Sequence, residues 1–99
     1  AYDSGRALYV REQRVRDADA ALYSKRLEIA RLEERIARGA FQVISETATP
    51  EERTQGVLDT KQAAERIGRL KAEIAELEKE RARYAQELDA YRATVADAR

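Results

Sequence analysis

Apolar residues recur every seven positions through the first half of the chain, at Leu8, Val15, Leu22, Ile29, Ile36 and Val43. With these taken as heptad position a, the d positions are Arg11, Ala18, Lys25, Leu32 and Gly39, which is a weak row. A sustained seven-residue repeat predicts a helix packed lengthwise against another helix. A second stripe follows spacings of three and four through Tyr2, Arg6 and Tyr9, then Ala20, Tyr23, Leu27 and Ala30, and later Ala37, Phe41 and Ile44. It reads as lying beside the a row, widening the apolar face in the middle and toward the tip. One hairpin partner covers one stripe. The other is either part of a generous core or a face for a second partner.

Gly39 has two readings. It could end the helix as a C′ glycine, or sit inside a helix at a cost of ~1 kcal/mol. The heptad continues through Val43, which favours a helix from about residue 3 to about 45, with a turn at about 46–49. In the second half the seam is cleaner. Positions a are Ile67, Ile74, Arg81, Leu88 and Val95, and positions d are Ala63, Leu70, Leu77, Tyr84, Tyr91 and Ala98. The turns around Gly56, Val57 and Leu58 are less regular. Gly68, Ala75 and Ala82 form a strip of small residues on one flank, which either allows close approach by another helix or reflects alanine serving simply as a helix former, the latter being favoured.

Between the halves stands Thr49-Pro50-Glu51-Glu52. The Thr49 hydroxyl can accept an orphan backbone N–H as an N-cap, and Pro50 suits the first helical position. Glu52 completes the capping-box spacing, and Glu51 and Glu52 favour the positive end of the helix dipole. A second helix is therefore expected over about 50–97. A parallel dimer of that helix would oppose Arg66 to Lys71 and Glu73 to Glu78, both like-charge pairs. Folding back about Thr49/Pro50 instead makes facing residue numbers add up to 99. Leu8 then meets Tyr91, Val15 meets Tyr84, Leu22 meets Leu77, Ile29 meets Leu70 and Ile36 meets Ala63. The reverse layers set Leu32 against Ile67, Lys25 against Ile74, Ala18 against Arg81 and Arg11 against Leu88. The fold class expected is all-α, a long antiparallel two-helix coiled-coil hairpin. The second stripe adds the prospect of a four-helix bundle made by two copies, or of docking onto the rest of a larger protein.

Composition narrows the chemistry. The 99 residues carry 19 basic and 19 acidic side chains, so no net charge draws the chain to nucleic acid or anionic lipid. Histidine and cysteine are both absent, which removes the usual bases, thiol nucleophiles and zinc ligands. The carboxylate clusters Glu33-Glu34, Glu51-Glu52 and Glu73/Glu76/Glu80/Glu87 read as solvated faces with partners three or four residues away. The arginine groups at 11, 14 and 16 and at 31, 35 and 38 are interleaved with acids, whereas nucleic-acid binding needs a stripe of one sign. No enzyme, cofactor or metal is expected, and no nucleic acid. The expected partner is protein, either a second copy or the remainder of a larger protein. Starting at Ala1 without a methionine, the chain reads as an excised fragment, with any membrane anchor outside it. The candidate interaction residues are Tyr2, Gly5, Arg6, Tyr9, Tyr23, Leu27, Phe41 and Ile44, and the turn residues are Thr49, Pro50 and Glu52.

The opening Tyr2-x-x-Gly5-Arg6-x-Leu8-Tyr9, followed by a charged heptad hairpin, resembles the C-terminal helical region of a proteobacterial family of uncharacterised predicted lipoproteins. In that family Y-x-x-G-R-type repeats precede a helical tail. The resemblance implies a cell-envelope or periplasmic location and no assigned activity, and it carries over only to Tyr2, Gly5, Arg6 and Tyr9. Ile36-Ala37-Arg38-Gly39-Ala40 resembles the tip of the α-hairpin in periplasmic membrane-fusion adaptors of efflux and type I secretion systems. Three functions are therefore open. The first is a structural interaction module of an envelope protein, the second an adaptor hairpin, and the third a nucleic-acid-associated coiled coil. A lipobox cysteine upstream, flanking β-rich halves, or salt-sensitive retention on DNA would favour them respectively.

Overall fold

The structure, a computed structural model, describes the backbone of residues 2–97 and the side chains of residues 5–97. The fold is an all-α helical hairpin. Helix α1 (Tyr2–Ile44) and helix α2 (Pro50–Asp97) are joined by residues 45–49. The d position at Ala98 lies outside the described residues.

The turn is held by local hydrogen bonds. The Glu52 backbone N–H donates to the Thr49 hydroxyl at 3.1 Å, as an N-cap requires. The Thr49 hydroxyl in turn donates to the Glu52 carboxylate at 3.1 Å. The carboxylate thus fixes the rotamer of the capping hydroxyl, a variation on the usual capping box. On the other side, the Ser45 N–H reaches the Phe41 carbonyl at 3.1 Å, and the Arg53 guanidinium donates to the Ser45 carbonyl at 3.2 Å. The Ser45 carbonyl, just past the end of α1, thus accepts both from this cation of α2 and from the Ala48 N–H at 3.3 Å.

Helix α1 runs straight through Gly39, which does not adopt a positive φ. Gly39 is therefore an interior residue and not a C′ cap. Its reason lies across the hairpin. A methyl placed on Gly39 would sit 2.7 Å from the Thr60 hydroxyl oxygen and 3.1 Å from the Gly56 carbonyl oxygen. A methyl on Gly56 would sit 3.0 Å from the Gly39 carbonyl oxygen. Both glycines are buried, and here the two backbones approach each other directly. The Thr60 hydroxyl completes the contact by donating to the Gly56 carbonyl at 2.8 Å.

Contacts group the hairpin into two compact units, one of Ala1–Tyr23 with Ile74–Arg99 and the other of Ser24–Glu73. In the first unit Ala18, Leu22 and Leu88 are buried, with Leu8, Val15, Leu77, Tyr84, Tyr91 and Val95 half-buried beside them. In the second, Ala63 and Leu70 are buried, Leu70 completely, with Ile29, Leu32, Ile36, Val43 and Ile67 half-buried. None of the described a or d positions of either heptad is exposed. Seven-residue spacing keeps one seam facing the partner helix along the chain. Extending the α2 heptad backward makes Thr60 an a residue and Gly56 a d residue, so the tip contact belongs to the same seam.

Candidate interaction surface

Three charged residues occupy seam positions: Arg11, Lys25 and Arg81. Each lays its apolar stem in the seam and takes its charged head out to a partner, as long basic side chains do. The Lys25 ammonium reaches the Glu73 carboxylate at 2.9 Å. The Arg81 guanidinium reaches Asp19 at 2.9 Å. The Arg11 guanidinium lies over the Tyr91 ring, 4.5 Å from its centroid, and also donates to the Ala7 carbonyl. The residue numbers of Lys25/Glu73 and Asp19/Arg81 add up to 98 and 100, to either side of the expected 99. Arg66 adds a two-pronged pair to Glu28 at 3.0 and 3.4 Å, and Arg35–Asp59, Arg14–Glu87 and Arg92–Glu12 are looser pairs at 3.6–3.8 Å.

These pairs leave an electrostatic signature. The hydrogen bond and charge of Lys25 hold the Glu73 carboxyl below its ordinary value, against a small opposing effect of burial. The Glu28 carboxylate holds Arg66 above its ordinary value, and Asp19 does the same for Arg81, in each case through a hydrogen bond first and charge second. Among the described residues no buried side-chain polar atom lacks a hydrogen-bond partner.

The second stripe of α1 corrects the expectation of a single broad apolar face. Its members occupy heptad positions b and f. At 100° per residue these lie about 100° and 140° round the helix from a, on the side away from d. That is the back of the helix and not an extension of the seam. In the first unit Tyr9 is 61% exposed and Tyr23 70%. In the second unit Leu27, Phe41 (70%) and Ile44 (76%) are exposed, as are Val57 and Leu58 of α2. Ala20, Ala30 and Ala37 are exposed as well.

In the opening motif, Arg6 and Tyr9 stand off the seam that holds Tyr84 and Tyr91. Tyr9 points outward, because it follows the a residue Leu8 and is rotated off the seam. The cations stacked on the two seam tyrosines are Arg11 on Tyr91 and Arg14 on Tyr84, with Arg83 also near Tyr84. Arg6 and Gly5 are exposed, and a side chain at Gly5 would meet nothing within 4 Å. The side chain of Tyr2 lies outside the described residues. Thr49, Pro50 and Glu52 serve the turn as described above.

The Gly39–Gly56–Thr60 contact and the side exits of the charged seam residues were not anticipated from sequence. The signal for the first was present in the backward extension of the α2 heptad to Thr60 and Gly56. The first unit also has a shallow groove between Arg14, Asp17, Leu77, Glu80 and Tyr84, floored by Ala18 and Ala21. The Tyr84 hydroxyl donates to Glu80 there at 2.6 Å. Among the described residues, no three metal-ligating side chains converge, and no helix is long and apolar enough to cross a membrane. No protein-family model, curated protein or solved structure matches the chain.

Proposed function

We propose that this chain is a non-enzymatic interaction module in which α2 braces α1 and the back of α1 docks another protein. The observation that carries this reading is the row of large apolar side chains at b and f of α1, exposed on a hairpin whose seam is otherwise filled. Exposed apolar rows of this kind mark interaction surfaces far more often than scattered single residues do. The mixed and mutually paired charges support a protein partner over nucleic acid, which needs unpaired cations along a backbone. A bacterial cell-envelope setting is part of the proposal and is supported by the Tyr2, Gly5, Arg6 and Tyr9 motif alone.

The test separates surface from core. Replacing Tyr23, Phe41 and Ile44 together with Ser should leave helicity intact and, at a dilution where the parent is monomeric, the melting temperature within a few degrees of the parent, since exposed positions contribute only about ±0.5 kcal/mol each. The same variant, carrying a photo-reactive residue at Ala30, should lose the protein adduct that the parent forms in cells. Unfolding of the purified variant would mean that the stripe belongs to the hairpin's own core.

A further inference from the structure

We infer that the apolar stripe on the back of α1 takes α1 of a second copy, antiparallel, with facing residue numbers that add up to 50. This rests on the reading of the stripe as a protein interface and names its occupant.

Two charges interrupt the stripe between Tyr9 and Ile44. Among its b and f positions these are Arg16 and Glu34, opposite in sign. They stand at equal distances on either side of residue 25. Tyr9 and Phe41, Ala20 and Ala30, and Tyr23 and Leu27 are disposed about the same point, whereas Ala37 and Ile44 stand opposite Gln13 and Arg6. In an antiparallel pair centred there, Tyr9 faces Phe41 of the second copy, Arg16 faces Glu34, Ala20 faces Ala30 and Tyr23 faces Leu27. Every f residue meets a b residue, as an antiparallel helix pair requires. Each layer occurs twice by symmetry, as a two-fold dimer demands.

The alternatives lose these pairings. A parallel pair opposes Arg16 to Arg16 and Glu34 to Glu34. Sliding the antiparallel pair by one heptad sets Glu34 against Tyr23 or Tyr9, and Arg16 against Phe41 or Leu27. Only the centred register neutralises both charges, and burying either one unpaired is costly. Flanking c and e positions pair with their own kind across an antiparallel seam, with numbers that add up to 48 and 52 respectively, and this adds Asp17 opposite Arg31. Against the register, Asp19 comes opposite Glu33 and Arg26 opposite its own symmetry mate. The first of these is offset because Asp19 already holds Arg81 at 2.9 Å.

Both charges are available. The Arg16 side chain is 66% exposed, with a loose contact to Glu12 at 3.7 Å, and Glu34 is exposed. Charge reversal at either should therefore leave the hairpin folded, which circular dichroism verifies. The full chain should sediment as a dimer at ~50 μM, Arg16→Glu and Glu34→Arg should each weaken the dimer by ~10-fold or more, and the two together should restore it to within ~3-fold, because the like-charge layers become opposite-charge layers again. The chain has no native cysteine, so disulfide trapping gives the register directly. Ser24→Cys, near the two-fold, should form an oxidised dimer, and exposed Gln62→Cys on α2 should not. A monomer at ~200 μM, a dimer indifferent to charge reversal, or failure of the double variant to recover would overturn the inference. A monomer that keeps its in-cell adduct at Ala30 would remove the second copy as occupant while leaving the docking surface itself in place. Loss of both would remove both.

Discussion

A methyl group is enough to distinguish two glycines that composition treats alike. Gly68 is exposed in the middle of α2, and a side chain there would meet nothing within 4 Å. Gly68→Ala should raise stability by ~0.5–1 kcal/mol, since it relieves the unfolded-state entropy of glycine at no steric cost. Gly56→Ala should do the reverse and lower stability by ~1–3 kcal/mol, because its methyl meets the Gly39 carbonyl, which cannot rotate away. Chemical denaturation of the two variants checks the opposite signs. Glu73 offers a pH test at the same scale. Its folded pKa is depressed by Lys25, so the pair adds stability above the unfolded glutamate value of ~4.3 and loses it as pH falls through the lower folded value. Glu73→Gln should therefore melt below the parent at pH 7, and the gap should close on acidification below about pH 4. Arg66 and Arg81, whose values are raised, stay charged throughout and add no slope in this range.

At the level of the helix, burial decides which apolar residues matter. Leu70, fully buried at a d position of α2, should cost ~2–5 kcal/mol when cut to Ala. A denaturation midpoint no lower than the parent's would mean that the a/d seam is not the core. The seam and the turn were legible because each has a local cause: a seven-residue period for one, and Thr49, Pro50 and Glu52 at fixed offsets for the other. The tip contact was harder to see because glycine at d counts as a gap in a hydrophobic pattern, although it permits the closest approach of two backbones. The register sets Lys25 opposite Ile74 and Arg81 opposite Ala18. Register locates a stem, but the charged head goes to whichever carboxylate flanks the seam, here Glu73 and Asp19. The angle of the b/f stripe follows from the spacing. Whether a face on the back of a helix is covered depends on how many helices pack around it, and spacing carries no count of neighbours.

In each unit α1 and α2 close a seam, and the described apolar b and f side chains of α1 are left exposed. Two helices bury little surface per residue, so such a fold is marginal alone and gains from any partner that binds only the folded form. A second copy at the stripe would supply that gain with no residue beyond those already present, and it would make stability depend on protein concentration. The glycine contact near the turn also bears on the order of events in folding. Gly39 and Gly56 are 17 positions apart in the chain, whereas Asp19 and Arg81 are separated by 62. Closing the shorter loop costs ~1 kcal/mol less chain entropy. A nucleus built on the capped turn and the paired glycines is therefore the cheapest to form, and the longer-range layers are reached only after it. The damage done by Gly56→Ala would then appear as slower folding and not as faster unfolding.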